Sequence, residues 1–436
     1  MKKPYIVLTS LIILAVFVSL ALVAEAEGTN NDLEPPTTIM SRASMGLMST
    51  GSDFDYEIYE GSITITRYIG TDADVIIPSR IEGMPVTSIG SWAFFDCFSI
   101  GSIIIPDGVT DIGYSAFAYC SSLTSIVIPD IVTSIDSNAF FGCSSLTSII
   151  IPDGVESISN SAFSQCSSLT SIVIPDSVTS IGGYAFDGCT SLTAIIIPGG
   201  VTSIGDYAFE GCESLTTIEV VDANMIYADI DGALYDKDRI RLIVCPAGKT
   251  GTFTVPDSVL EIGYYAFFGC SSLTSIVIPE NVVSIGNDAF YRCSSLTSIV
   301  IPDGVEIISD SLFWECSSLT SIFIHDGVTN IDSYAFYGCS SLASIVIPYG
   351  VTTISDGVFS GCTSLASIVI PDSVESIGEW AFSDCSSLVS VVIPNGVTNI
   401  GYSAFSGCSS LTSVTMPDSV ESIGDDAFSD CISLTR

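Results

Sequence analysis

The chain has 436 residues, 47% of them hydrophobic, with 49 acidic residues against 11 basic ones and a formal net charge of -38. So large a negative excess excludes the partner classes that need basic patches, namely nucleic acid and anionic membrane surfaces. It is consistent with a protein that stays soluble despite a hydrophobic composition.

At the N-terminus, Lys2 and Lys3 precede an apolar run from Tyr5 to Ala24, and Ala24-Glu25-Ala26 fits a small-x-small cleavage site. Residues 1–26 are therefore expected to be a secretory signal peptide. The run is also long enough to span roughly 30 Å of hydrocarbon, so an uncleaved anchor is the alternative. Residues 27–52, rich in Thr, Ser, Met and Pro without periodicity, read as a flexible leader. Residues 53–89 carry Ile63-Thr64-Ile65-Thr66 and Val75-Ile76-Ile77-Pro78. They read as an irregular N-terminal capping unit that closes the end of a repeat array.

Residues 90–221 and 256–436 are such an array. Cys97, Cys120, Cys143, Cys166, Cys189 and Cys212 are each 23 residues apart, and the ladder resumes at Cys270 and runs through Cys293 to Cys431. A fixed period in this range is the signature of a solenoid, in which each unit buries its apolar face only against its neighbours. In a typical coil, Ser125 to Ile128 is a β-branched run ended by Pro129 and predicts a short strand. Leu123, Ile126 and Ile128 point inward, leaving Ser125 and Val127 outward. The Val132-Thr-Ser-Ile135 segment predicts a second short strand, and Ala139-Phe140 up to Cys143 predicts a single helical turn. Phenylalanine stands three before every ladder cysteine and leucine three after nearly every one. These columns are core.

Residues 222–255 interrupt the period. Gly232 to Asp236 and Arg239 to Val244 predict a β-hairpin insertion with a polar turn. At the other end the last coil lacks a polar cap, so fraying or truncation is expected there.

Fifteen cysteines in an exported protein ordinarily suggest disulfides. Equivalent residues of stacked coils repeat at about 4.8 Å. A disulfide brings its Cβ atoms to about 3.5–4.5 Å. A buried column of free thiols follows, with Cys245 outside the ladder and unexplained.

The pattern Leu-x-x-Ile-x-Ile-Pro, then Val-x-x-Ile-Gly, then Ala-Phe-x-x-Cys, repeated at 23 over about residues 75–436, resembles the BspA-type leucine-rich repeat family of exported microbial proteins. The resemblance implies an α/β repeat solenoid, a leucine-rich-repeat array with a parallel β-sheet. For some members it also implies adhesion to host or neighbouring-cell proteins.

Departures from the repeat mark three candidate partner-binding sites. Phe268, Tyr291, Trp314 and Tyr337 are aromatic two residues before the ladder cysteine in four successive coils, and Arg292 falls beside them. Tyr264, Tyr265 and Tyr334 widen the strip. Aromatics with arginine are typical of protein-binding hot spots, and aromatic strips also suit sugars. The same residues equally fit packing over the convex side of the core. The outward strand column, including Val277, Val300 and Phe323, is either a partner or self-association stripe or an expression of strand propensity. Lys237, Arg239 and Arg241 in the insertion are available to an acidic partner, to this chain's own acids, or to solvent at a hairpin tip.

Asp107, Asp130, Asp153 and their equivalents follow the strand proline. Turn chemistry accounts for them as well as calcium does, and no metal site is assigned. The one histidine, His325, stands at a strand-ending proline position. No phosphate loop, HExxH or EF-hand pattern is present. No catalytic or cofactor-binding residue is assigned. The expected partner is a protein or a glycan, with self-assembly as the second reading.

Overall fold

The structure is a computed structural model that describes residues 50–435. The expected signal peptide, and the leader as far as residue 49, lie outside the described residues. Among the described residues no helix is long and apolar enough to cross a membrane.

Identical sequence at a fixed period stacks like on like. Ser148–Ile150 pairs in parallel with Ser171–Val173, serine on serine and Ile149 on Ile172. The second strands form their own parallel ladder, as in Ser157–Ile158, Ser180–Ile181 and Ser203–Ile204. Alternation along each strand sends one set of side chains into the core. Leu123, Ile126 and Ile128 are buried, whereas Val127 is 65% exposed.

The third segment differs from its sequence-based expectation. It is a run of tight turns rather than a helical turn. The amides of Phe141 and Cys143 fold back on Asn138 O and Phe140 O, at 3.0 and 3.1 Å. The alternate amides of Asn138, Phe140 and Gly142 instead donate to Asn160, Ala162 and Ser164 of the next coil, at 3.0, 2.9 and 2.8 Å. A helix would turn every one of these amides back on its own coil. Left-handed φ values of 58° at Asn138 and 71° at Gly142 produce the alternation and stop a helix from propagating. Coils are thus joined on three sides, by two strand ladders and one ladder of turns. Among the described residues the helical element is the 3-10 turn Gly51–Asp53.

Inside, the phenylalanines stack ring on ring. Phe140 lies 5.5 Å from Phe163 at an interplanar angle of 3°, and Phe163 lies 5.8 Å from Phe186. At the N-terminal end, a hairpin of Phe54–Tyr59 and Ser62–Tyr68 lays Tyr68 on Phe94 at 5.4 Å. The second hairpin strand then pairs in parallel with Met84–Ile89, so the second-strand ladder begins on the hairpin.

Between the two runs of coils, Tyr227–Ile230, Ala233–Asp236 and Arg241–Val244 form an antiparallel meander. Its first strand is not marked in the sequence reading. Its last strand enters the second-strand ladder, parallel to Glu261–Ile262. Gly251–Thr254 then reopens the first-strand ladder beside Leu273–Val277. The insertion therefore supplies parts of one coil. Cys245 takes a core position within it: its amide donates to Ala266 O at 2.6 Å, as Phe267 N donates to Ala289 O at 2.8 Å.

Candidate functional site

The turn segments present their side chains in columns, because each segment repeats against the next coil. Phe268 stacks on Tyr291 at 4.8 Å, Tyr291 on Trp314 at 5.8 Å, and Trp314 on Tyr337 at 4.0 Å. All four are partly buried, with an edge or face open. Tyr334 stands 5.5 Å from Trp314 and Tyr265 stands 6.0 Å from Phe268.

The strip continues across the insertion, where sequence spacing hides it. Tyr207 lies 4.3 Å from Tyr265, and Tyr184 stacks on Tyr207 at 4.9 Å. Tyr207 and Tyr265 are distant in the chain, yet each stands five residues before its ladder cysteine. That shared offset is the signal that could have found the extension.

Arg292 occupies a left-handed position with φ 58°, a place held in some coils by glycine, as at Gly188, Gly211 and Gly269, and in others by larger residues such as Tyr119 and Gln165. An L-residue there is strained, because its Cβ crowds the following carbonyl. Its guanidinium carbon sits 5.4 Å from the centre of the Tyr291 ring, and its Nε lies 2.7 Å from Glu315 Oε2. Glu315 is also left-handed, with φ 55°. Two strained, oppositely charged residues in successive coils thus form one exposed ion pair on the edge of the strip.

Beside this pair runs a groove of about 600 Å³, whose lining includes Asp187, Glu210, Phe268, Arg292 and Glu315. The three glycines leave its course free of side chains. Burial raises the Glu210 carboxyl above its usual range, Asp187 adds to the rise, and Arg292 opposes it. Asp288, near the Tyr265 ring, is pushed up to about 6 by burial and then by Asp310. Aromatic faces, carboxylates and one guanidinium together can engage ring faces, hydroxyl donors and cations.

The other candidates lie elsewhere. Val277, Val300 and Phe323 are exposed on the first-strand ladder and do not line the groove. Exposure of that column peaks at Val346 and Val369, 77% and 78%. In the insertion, Arg241 Nε lies 3.1 Å from Glu261 Oε1, in ion-pair range but without hydrogen-bond geometry. The Lys237 ammonium donates to Asn224 O. Arg239 sits exposed in the hairpin turn with φ 60°. Much of the insertion's basic charge is therefore used within the chain.

His325 is buried and serves the turn. Its Nδ1 accepts from Gly327 N at 3.0 Å and its Nε2 lies 2.9 Å from Val305 O, which makes Nε2 the protonated nitrogen. The aspartates after the strand prolines are exposed to solvent. Among the described residues, no group of three or more His, Cys, Asp or Glu side chains is placed to hold a metal ion.

The profile of the family described as BspA type leucine rich repeat region matches residues 75–170, 112–230, 247–366 and 329–436. A comparison with curated protein sequences gave no match. Among solved structures, a leucine-rich repeat protein from Bacteroides ovatus is 31% identical, with a TM-score of 0.53 over 88% of this chain and 92% of its own. A leucine rich cell surface protein from Faecalibacterium prausnitzii is also 31% identical, with a TM-score of 0.58 over 85% of this chain and 94% of its own. The pneumococcal vaccine antigen PcpA, 22% identical with a TM-score of 0.60 over 81% of this chain and 92% of its own, shares the fold.

Proposed function

Because the chain belongs to the BspA-type leucine-rich repeat family, we propose that it is an exported, non-catalytic scaffold that binds a protein or glycan at the cell surface or in the surrounding medium. The observation that carries this reading is the continuous aromatic strip from Tyr184 to Tyr337, edged by the strained Arg292–Glu315 pair and a groove lined with carboxylates. Other coils place glycine, or Asp96, Tyr119 and Gln165, at this left-handed position, and Arg292 is set apart by its positive charge beside the strip. The description of the Faecalibacterium relative as a cell surface protein supports an extracellular location, as does the apolar N-terminal segment of this chain.

A second reading rests on the first-strand face. The exposed column from Val127 to Val392 is apolar over most of its length, and such stripes mark association surfaces. In that case copies of the chain join through this face.

Light-scattering mass across a concentration series separates the two. The binding reading expects a constant monomer mass, followed by retention on one class of immobilised matrix protein or glycan that Trp314→Ala abolishes. Mass that grows with concentration, and returns to monomer in Val300→Lys, would favour assembly. Retention unchanged by Trp314→Ala removes the strip from consideration.

A further inference from the structure

The phenylalanine stack has one gap. Phe186 stacks on Phe209 at 5.8 Å, and the stack restarts where Phe267 meets Phe290 at 5.2 Å. Between them the coil supplied by the insertion offers Cys245. Its backbone reproduces the phenylalanine position on both sides. Its amide donates to Ala266 O, and its carbonyl accepts the Cys270 thiol at 3.5 Å, as Phe267 O accepts that of Cys293 at 3.2 Å. A thiol thus stands where the repeat places a phenyl ring.

The neighbours record the missing ring. On one side Phe209 is 7% exposed, whereas Phe186 is 0% exposed; on the other, Phe253 packs edge-on against the fully buried Phe267 at 5.4 Å, so the opening lies on the Phe209 side. The second-strand ladder also opens here, and the Ile204 amide donates to the Tyr227 hydroxyl at 3.1 Å in place of a strand carbonyl. Ile204 is partly exposed, while Ile181 and Ile262 of the same column are buried. The result is a cavity of about 290 Å³ reaching Ile204, Phe209, Tyr227, Ile243 and Cys245. A cavity of about 150 Å³ lined by aliphatic and aromatic side chains already holds a benzene ring. This one has room for a ring and a short polar arm.

The mouth sets the charge of that arm. Asp206 and Glu210 line it together with Tyr207, Tyr264 and Tyr265. Arg241 also reaches the cavity, but Glu261 lies against it at 3.1 Å. Glu210 is part-buried there, and burial first, then Asp187, raises its carboxyl, with Arg292 opposing the rise. Tyrosine faces at the mouth favour a cation further.

We propose that this gap in the phenylalanine stack is a binding site for an aromatic amine, with its single ring against Phe209 in the slot left by Cys245 and its ammonium at Asp206 and Glu210. The site goes beyond macromolecular binding and does not depend on it. A chain with no macromolecular partner would still bind the amine.

The test is calorimetric titration of the full chain at neutral pH and low salt with three probes. These are tyramine, p-cresol as the ring without the ammonium, and butylamine as the ammonium without the ring. Tyramine is expected to saturate one site and to bind at least about tenfold more tightly than either comparator, a difference of about 1.4 kcal/mol. Cys245→Phe restores the repeat residue and fills the slot, so it should abolish tyramine binding while the thermal unfolding transition stays as high or rises. Should that variant not fold, Glu210→Gln serves in its place and should weaken tyramine at least about threefold, with p-cresol unchanged. Absence of saturation by tyramine, equal affinity for tyramine and p-cresol, or undiminished binding in a folded Cys245→Phe would overturn the proposal.

Discussion

The thiol of Cys293 donates to the carbonyl oxygen of Phe267 in the preceding coil, at 3.2 Å. The same carbonyl accepts the amide of Cys270 at 3.0 Å. Each ladder cysteine in the interior of the array therefore fills the second lone pair of a buried carbonyl while packing as a small apolar group. Cys166 to Phe140 and Cys339 to Phe313 repeat the contact at 3.2 Å. This explains why the column holds cysteine rather than alanine, without any disulfide.

Two outcomes follow for the thiols. Burial raises their pKa, for Cys143 and Cys362 to about 12, so the thiolate is scarce at neutral pH. Native protein should react slowly with thiol reagents, and denatured protein without reductant should titrate nearly all fifteen cysteines. Recovery of fewer than half the thiols would show that the column is oxidised. Cys293→Ala should cost about 1–2 kcal/mol in chemical denaturation, from a lost weak hydrogen bond and a small void.

Phe290 is fully buried between Phe267 and Phe313, with ring centroids 5.2 Å away on both sides. Phe290→Ala should destabilise the fold by about 3–5 kcal/mol. Phe428 stacks on one side only, on Phe405 at 5.3 Å, and is half-buried. Phe428→Ala should cost clearly less. A loss below about 1 kcal/mol at Phe290 is incompatible with its place in the stack.

Asp288 yields a pH dependence with an unusual sign. Its carboxyl rises from an ordinary 3.8 to about 6 in the folded chain, first through burial and then through Asp310. The native state then holds a proton that the unfolded state releases. Stability from this group is greatest in acid and falls as pH rises from about 4 to about 6. Asp288→Asn keeps a side chain that tolerates the left-handed φ of 56°. The melting temperature of this variant should gain on the wild type across that window and keep the gain at pH 7. A constant difference at every pH excludes the titration.

Arg292 separates function from stability. Its ion pair with Glu315 is mostly exposed and is worth about 0.2–1 kcal/mol. Its left-handed backbone costs about 1–2 kcal/mol. Arg292→Gly should therefore leave unfolding unchanged or make it slightly harder. If the strip is the binding surface, the same variant should lose partner retention. A clear drop in stability with retention intact would assign Arg292 to the fold instead.

The coil was legible in the sequence because a solenoid stacks like on like. The columns Leu123, Ile126, Phe140 and Cys143 follow from spacing alone, and so do the outward Val127 and the free cysteines. The turn segment was not legible. Ala-Phe before cysteine suits a helix locally, and only the next coil, by taking alternate amides from Asn138, Phe140 and Gly142, makes a ladder of turns more favourable. The insertion shows the same limit. Cys245 looks like a stray residue until Arg241–Val244 enters the ladder and delivers it to the phenylalanine position.

The sequence by itself determined the repeat, the faces of the strands, the core columns and the acidic surface, because each depends on contacts between equivalent residues one period apart. The tertiary structure decided what crosses the break in that period. It set Tyr207 against Tyr265, opened the cavity beside Phe209, and paired Arg241 with Glu261. Those contacts join residues that are not one period apart, so the path of the insertion brings them together, although Tyr207 and Tyr265 keep the same offset from their ladder cysteines.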